Sequence, residues 1–264
     1  MDIIIFGGQS NMQGQTEGCP AINAEIENAW EYRYLTDSLK PLCHPVGEDI
    51  GEDLLLAQSC NGGGSLIPSF CQAYSNHTGR PCVAVHAARG STTIAEWQEN
   101  TARFMCAENK IQAALRKVGA EYSVENIYYV WLQGESDAVA MTTTEEYERK
   151  LIAYKNALKS RFPIQKFAII KVGYFFSEST YHRYVAVGST EERKRYDEQM
   201  MTAQENVVKK DSDFVMLTRI CPQISLDSHY MNPYVSGHYN NTGMELIGTE
   251  AGTALARIAK GETL

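Results

Sequence analysis

A serine follows the first apolar segment of the chain, within residues 7–14 (GGQSNMQG). A glycine-rich turn from strand to helix suggests phosphate binding, but neither the Walker pattern nor the dinucleotide-binding pattern can be written over these residues. The nucleophile elbow Gly-x-Ser-x-Gly also fails, because Met12 stands in place of its second glycine. The remaining interpretation is that Ser10 lies at a strand end, where helix-start amides can stabilise an oxyanion. The alternative is that Ser10 or Asn11 only caps the helix.

Acyl transfer by a serine requires a base that accepts its proton and a group that orients the base. Two of the six histidines, His229 and His238, lie in the last predicted loop, and His238 directly precedes a predicted helix. His86 ends an apolar segment, where a buried structural histidine is the simpler interpretation. The other three histidines are His44, His77 and His182.

The elements that position these groups are indicated by apolar periodicity. Continuous apolar segments rich in Ile, Val, Tyr and Phe predict five strands buried on both faces of a parallel sheet, at residues 2–6, 81–86, 126–132, 166–172 and 213–217. Helical spacing predicts helices at residues 101–118, 145–162, 190–210 and 243–260. Residues 19–80 predict a short strand or hairpin near Trp30, an irregular loop, and a helix that begins near Ile67. This alternation predicts a doubly wound α/β fold, and we expect one domain over residues 1–264.

Ligands of open α/β sheets bind at the carboxyl ends of the strands. Besides the Ser10 segment, residues 87–93 (AARGSTT) and 133–137 (QGESD) follow predicted strands. Residues 227–229 (DSH) and 237–241 (GHYNN) follow the last one. We therefore expect these polar, glycine-containing segments to meet at one edge of the sheet.

Four blocks of the sequence resemble the ordered blocks of the SGNH hydrolases. They are residues 8–12 (GQSNM), 89–97 (RGSTTIAEW), 131–137 (WLQGESD) and 238–243 (HYNNTG). The closest resemblance is to the branch of sialate O-acetylesterases and of carbohydrate esterase family 6, the acetylxylan esterases. It covers nearly the whole chain, with residues 19–80 and 174–226 matching only loosely.

The resemblance implies a flavodoxin-like, three-layer α/β/α fold with a five-stranded parallel sheet. It also implies removal of acetyl groups from carbohydrate hydroxyls without a metal or other cofactor. Ser10 would be the nucleophile and His238 the general base. The oxyanion donors would be the amides of Ser10 and of Gly90 or Ser91, and the Gln133 side chain. Further residues assigned to the site through the resemblance are Gln9 and Asn11, which would contact substrate, and Glu135 and Asp137, which would brace the site.

One position departs from the family pattern. Most of these enzymes have an aspartate three residues before the histidine, and that position is Val235 here. Asp227 could orient His238 if the intervening residues loop out, Glu135 or Asp137 could reach it from the third predicted strand, or a backbone carbonyl could complete a Ser-His dyad. We favour Asp227 over Glu135. A pairing of Asp227 with His229 is weaker, because two residues apart they are not placed to hydrogen bond.

Composition and charge exclude several classes. The 264 residues are 44% hydrophobic and 21% charged, which excludes disordered, collagenous and disulfide-scaffold proteins. The formal net charge of −8 disfavours nucleic acid as a partner and favours a neutral acetylated sugar over sialic acid. No apolar run reaches the ~20 residues that span a bilayer, and the N-terminus lacks signal-peptide features, so no membrane partner is expected. Seven scattered cysteines without a Cys-x-x-Cys pair favour reduced thiols and a cytoplasmic location.

Three other functions are open at this point. An SGNH acyl hydrolase for lipids or other small esters would need a broad apolar groove, whereas residues 44–66 are polar and glycine-rich. A catalytically weak carbohydrate-binding protein is suggested by Val235, with Trp30 and Trp97 stacking on sugar rings. A flavodoxin-type electron carrier is disfavoured, because no Ser/Thr-rich phosphate loop follows the first strand.

Overall fold

The computed structural model describes residues 1–17, 24–48, 63–175 and 190–263. Within these residues seven strands form one sheet. In chain order they are β1 (Asp2–Gly8), β2 (Ala29–Arg33), β3 (Ser38–Pro41), β4 (Cys82–Ala88), β5 (Ile127–Leu132), β6 (Lys166–Ile170) and β7 (Phe214–Thr218). Their spatial order is β3-β2-β4-β1-β5-β6-β7, and all neighbours are parallel except β2 and β3.

The five predicted strands correspond to β1, β4, β5, β6 and β7, but the expected five-stranded parallel sheet is wrong in its strand count and in being wholly parallel. The hairpin expected near Trp30 extends the sheet, because β2 pairs with the edge of β4 and β3 returns antiparallel along β2. Tyr32 is buried, and its hydroxyl donates a 2.7 Å hydrogen bond to Asp37 in the intervening turn. The sheet is therefore mixed and has seven strands.

Helices cover both faces of the sheet. Among the described residues the α-helices are α1 (Ser10–Gln13), α2 (Ile67–Thr78), α3 (Ala102–Glu121), α4 (Glu135–Val139), α5 (Thr144–Arg161), α6 (Thr190–Lys210), α7 (Cys221–Ile224) and α8 (Asn241–Ala259). Helices α3, α5 and α6 contribute to the core on one face, and α2 and α8 to the core on the other. The sheet thus separates two apolar layers, as the alternation of strands and helices predicts.

Side-chain caps begin three of the longer helices where the sequence has Thr or Asn. Thr101 accepts from Phe104 N at the start of α3, and Asn240 accepts from Gly243 N at the start of α8. Thr143 caps α5 in the same way. These bonds satisfy amides that have no partner within the helix, so the caps fix where each helix begins.

Helices α2 and α8 pack closely because α8 has glycines at the contact. A Cβ atom at Gly252 would overlap the backbone carbonyl of Phe70, and one at Gly248 would overlap the Leu66 carbonyl. Any side chain at either position would push the helices apart. This contact holds the helix that directly follows His238 against the sheet.

An aromatic cluster fills the opposite core. Tyr129 stacks on Phe167 with ring centroids 4.7 Å apart, and Trp97 packs edge-on against Trp131 at 5.5 Å. Trp97 is fully buried, which corrects the alternative in which it stacks on a sugar. The cluster supports β5, whose carboxyl end leads to the QGESD segment.

None of the helices in the described ranges is both long and apolar enough to cross a membrane. The five cysteines within those ranges are free thiols, at Cys43, Cys71, Cys82, Cys106 and Cys221. Cys19 and Cys60 lie outside the described residues.

Candidate active site

Ser10 lies where β1 ends against β5. Gly8 has a φ of 136°, and a Cβ atom there would overlap the carbonyl of Leu132. Glycine therefore permits β1 to approach β5 closely, and the next amide, of Gln9, donates a 3.1 Å hydrogen bond to the same carbonyl. Helix α1 begins at Ser10, and only 4% of the surface of this residue is exposed to solvent.

His238 contacts Ser10 directly. The distance from Ser10 Oγ to His238 Nε2 is 2.8 Å, and that from His238 Nδ1 to the Ser236 carbonyl oxygen is 2.9 Å. A carbonyl oxygen can only accept, so Nδ1 carries the proton and Nε2 is left to accept from the serine hydroxyl. Burial lowers the pKa of His238, which keeps the ring neutral and able to act as a base.

The structure corrects the preference for Asp227 as the orienting acid. Asp227 is exposed, and its Oδ1 accepts a 2.9 Å hydrogen bond from the His229 amide at the start of a short 3-10 helix, Ser228–Tyr230. Glu135 does not contact the His238 ring either, because its Oε1 accepts from Asn11. Of the alternatives left open by the sequence, the geometry matches the backbone carbonyl.

Asn11 links the serine helix to both sides of His238. Its Nδ2 donates to Glu135 Oε1 at 2.8 Å and faces the Gly237 carbonyl at 3.4 Å. Its Oδ1 lies 3.4 Å from the amide nitrogen of Tyr239. Asn11 thus holds the backbone before and after His238 and does not merely cap a helix.

Buried carboxylates lie behind this contact. Burial raises the pKa of Glu135, and no described residue hydrogen bonds to its Oε2. The Arg193 guanidinium lies 3.5 Å from the Glu135 carbonyl and 3.7 Å from Asp197. Burial also raises the pKa of Asp197, to about 7. Glu135, Arg193 and Asp197 interact with one another and with Asn11, and no hydrogen bond between described residues joins them to Ser10.

The Gly90 turn lies next to Ser10. A Cβ atom at Gly90 would lie 3.5 Å from the Ser10 Cβ. The Gly90 amide donates a 2.6 Å hydrogen bond to Gln13 Oε1, a contact that the sequence analysis missed. The adjacent Ser91 is exposed and has a φ of 58°. The only feature of the sequence that points to a role for Gln13 is its place in the GQSNMQG segment.

The Gln133 side chain is hydrogen bonded to its neighbours within the fold. Its Nε2 donates to Asp137 Oδ2 at 2.6 Å and to the Thr92 carbonyl at 2.9 Å. Because an amide nitrogen has two protons, these bonds account for both, and Oε1 accepts from Tyr147. The expectation that Gln133 is an oxyanion donor stays a prediction, and it requires that Nε2 release one of these acceptors.

Gln9 and Asp137 belong to the same scaffold. Gln9 Oε1 accepts from the Ser136 amide at 3.1 Å, so this side chain is directed toward α4 and not toward a substrate. Asp137 accepts from the Ile94 amide at 2.7 Å and from Thr142 at 3.0 Å. The Gln9 contact joins the segments that follow β1 and β5, and the contact of Asp137 with Ile94 joins those that follow β4 and β5.

Phe175 is a further neighbour that the sequence did not indicate. Its ring packs edge-on against the His238 ring at a centroid distance of 5.5 Å, and it would overlap a Cβ atom at Gly237. No group of three or more His, Cys, Asp or Glu side chains in the described part of the chain is arranged to hold a metal ion.

Solved structures with this fold include a protein of Arabidopsis thaliana, 17% identical, with a TM-score of 0.68 and 96% of each chain covered. NanS is 14% identical, with a TM-score of 0.62 and 98% of each chain covered. A carbohydrate acetylesterase from Xanthomonas citri is 17% identical with a TM-score of 0.61, and the match covers all of this chain but 57% of that one. At these identities the likeness shows the fold.

A comparison with curated protein sequences finds no match. The family described as "Carbohydrate esterase, sialic acid-specific acetylesterase" matches residues 1–232. The matched part includes Ser10 and ends six residues before His238, so the assignment of the histidine rests on its sequence block and on the geometry. The resemblance drawn from the four sequence blocks is confirmed, and the chain belongs to the sialic acid-specific acetylesterase family of carbohydrate esterases.

Proposed function

We propose that this protein hydrolyses O-acetyl esters of carbohydrates through a Ser10-His238 dyad. The observation that carries the proposal is the 2.8 Å contact between Ser10 Oγ and His238 Nε2, with the ring tautomer fixed by the Ser236 carbonyl. A serine with only a structural role does not require an imidazole nitrogen as the partner of its hydroxyl. A serine with a neutral imidazole on its hydroxyl has the arrangement of an activated nucleophile.

In the first half-reaction His238 Nε2 accepts the Ser10 proton while Oγ attacks the acetyl carbonyl carbon. The bond to the sugar oxygen then breaks, and the imidazolium returns its proton to that oxygen, which leaves acetyl-Ser10 and a free sugar hydroxyl. A water molecule repeats the sequence in the second half-reaction. Acetate is released and Ser10 regains its proton.

The oxyanion of each tetrahedral intermediate requires hydrogen-bond donors. Ser10 is the first residue of α1, so its backbone amide has no hydrogen-bond acceptor within the helix. The second donor comes from the turn of Gly90 and Ser91. The Gly90 amide serves only after Gln13 releases it, whereas no described residue accepts a hydrogen bond from the Ser91 amide.

We further propose that the acetylated sugar is neutral. The protein carries 32 acidic and 24 basic residues, and the resulting excess of negative charge disfavours an anionic substrate. Acetylated xylan satisfies this condition better than sialic acid does.

The test of the proposed nucleophile is Ser10→Ala. We expect hydrolysis of p-nitrophenyl acetate to fall by on the order of 10⁴–10⁶-fold, because no other described group contacts His238 Nε2. Ser160→Ala, on the exposed surface of α5, is the matched control and should retain activity. A fluorophosphonate probe should label the wild type but not Ser10→Ala. Unchanged turnover in Ser10→Ala would falsify the proposal.

A further inference from the structure

The loop that carries His238 is free of charged residues. Residues 228–240, named here the His238 loop, contain no Asp, Glu, Lys or Arg, although such residues make up 21% of the chain. The loop consists mainly of Tyr, Asn, Ser, Gly and His. A surface of this composition offers aromatic faces and neutral hydrogen-bonding groups to a ligand.

Hydrogen bonds within the His238 loop fix its conformation. Met231 and Tyr239 form an isolated antiparallel bridge, and the Asn232 amide donates to the His238 carbonyl at 2.8 Å. Asn232 Oδ1 accepts from the amides of Tyr234 and Val235 at 2.8 and 3.1 Å. The turn that carries Tyr234 is therefore held in place relative to His238.

The same turn borders the site on two sides. The Val235 carbonyl accepts from the His238 amide at 3.3 Å. Asn232 Nδ2 donates to the Gln15 carbonyl at 2.8 Å, and Gln15 Nε2 lies 3.4 Å from the position of a Cβ atom at Gly90. The turn that carries Tyr234 is therefore hydrogen bonded to the His238 backbone and, through Asn232, to Gln15 beside the Gly90 turn.

Tyr234 is 80% exposed, the highest value among the large hydrophobic side chains of the described residues. Its hydroxyl hydrogen bonds to no described residue, and the neighbouring Val235 is also exposed. An aromatic ring that contacts little of the fold contributes little to its stability, whereas its face can bind a ligand. The turn that carries Tyr234 is bonded to the backbone of the proposed base, so the ligand considered for this ring is the substrate.

We propose that Tyr234, with Val235 beside it, is a platform on which an uncharged pyranose ring of the acetylated carbohydrate packs. The C–H bonds on one face of such a ring carry partial positive charge and suit the negative face of the phenol ring. An anionic sugar would find no cation within the His238 loop. The inference rests on the proposed function, because the bound ring is the one that places an acetyl group at Ser10.

The experiment compares Tyr234→Ala and Tyr234→Phe on two substrates, acetylated xylo-oligosaccharides and p-nitrophenyl acetate. For the oligosaccharides we expect KM to rise about tenfold in Tyr234→Ala and to stay near the wild-type value in Tyr234→Phe, which keeps the ring. For p-nitrophenyl acetate, which has no sugar ring, kcat/KM should change by less than about twofold. Tyr122→Ala, an exposed tyrosine at the end of α3, is the matched control and should leave KM unchanged for both substrates.

Two outcomes overturn the platform. An unchanged KM for the oligosaccharides in Tyr234→Ala would show that Tyr234 does not bind the sugar ring. An equal loss of kcat/KM on both substrates would show that the substitution only disturbs His238. A higher kcat/KM for 9-O-acetyl-N-acetylneuraminic acid than for the oligosaccharides, unaffected by Tyr234→Ala, overturns the uncharged ring. Failure of the proposed function is distinguishable, because wild type and Ser10→Ala would then hydrolyse p-nitrophenyl acetate at the same rate.

Discussion

A backbone carbonyl and a carboxylate are different partners for a catalytic histidine. The Ser236 carbonyl fixes the proton on Nδ1 of His238, as an aspartate would, but it carries no charge to stabilise the imidazolium that forms during acyl transfer. The proposed base therefore depends on burial and on its own loop. Val235, where the family has its aspartate, adjoins the residue that supplies this carbonyl.

The first prediction concerns the pH dependence of activity. Burial lowers the pKa of His238, so the ring loses its proton below the ordinary value of 6.5. Because the neutral ring is the base, we expect kcat/KM for p-nitrophenyl acetate to rise with pH through an inflection below 6.5 and then level off. An inflection above 6.5 would show that a carboxylate raises the pKa of the ring and would contradict the dyad.

Residue types predicted the reacting pair better than its surroundings. Ser10 and His238 were assigned from short blocks whose order is specific, and the structure places them in contact. The Ser236 carbonyl could not be assigned, because every residue has one and only the loop conformation selects it. The role of Gln133 as an oxyanion donor stays a prediction, and the contact of its amide with the Thr92 carbonyl could not be foreseen because Thr92 belongs to another segment of the chain.

At the scale of elements, the contact between α2 and α8 holds the helix that follows the His238 loop close to α2. The glycines in α8 weaken the helix itself, since each costs up to about 1 kcal/mol relative to alanine. Their presence is explained by the backbone of α2, which leaves no room for a side chain at Gly248 or Gly252.

The second prediction tests this contact. Gly252→Ala should lower the free energy of unfolding by about 1–3 kcal/mol, because the added methyl group overlaps the Phe70 backbone, which cannot move cheaply. Gly119→Ala, in α3 with no atom within 4 Å of the added Cβ, should raise it by up to about 1 kcal/mol. Urea unfolding of both variants gives the two values. Equal changes of the same sign in the free energy of unfolding would show that helix propensity alone determines the effect of both substitutions.

The sequence predicted the central strands because they are buried on both faces and read as continuous apolar segments. The edge hairpin was expected, but its place in the sheet was not. Strand β3 is partly exposed, and its pairing with β2 depends on a turn held by Tyr32 and Asp37. A short edge strand of this kind lacks the apolar run that marks an interior strand.

At the scale of the whole molecule, the carboxylates behind the site couple folding to pH. Asp197 is fully buried, the Arg193 guanidinium lies 3.7 Å away, and no described residue hydrogen bonds to Asp197 Oδ1. Burial raises its pKa from 3.8 to about 7. The folded protein therefore holds a proton here that the unfolded chain has already lost at intermediate pH.

The third prediction follows from the sign of this shift. A raised pKa contributes stability that is fully present below 3.8 and is lost as pH rises through about 7. Asp197→Asn cannot ionise, so its advantage in Tm over the wild type should grow between pH 5 and pH 7.5. Thermal unfolding at the two pH values measures it, with Asp227→Asn, at an exposed carboxylate, as the control. A difference in Tm that stays constant between the two pH values would contradict the raised pKa of Asp197.

Ser10 and His238 are 228 positions apart in the chain, yet their side chains touch. Because synthesis proceeds from the N-terminal side, the serine is made 228 residues before the histidine and before the helix that follows its loop. Until α8 has docked on α2, the proposed nucleophile lacks its proposed base. If the proposed dyad is the active group, recovery of ester hydrolysis during refolding reports the docking of α8 on α2, and a chain made only as far as α7 has no acyl-transfer activity.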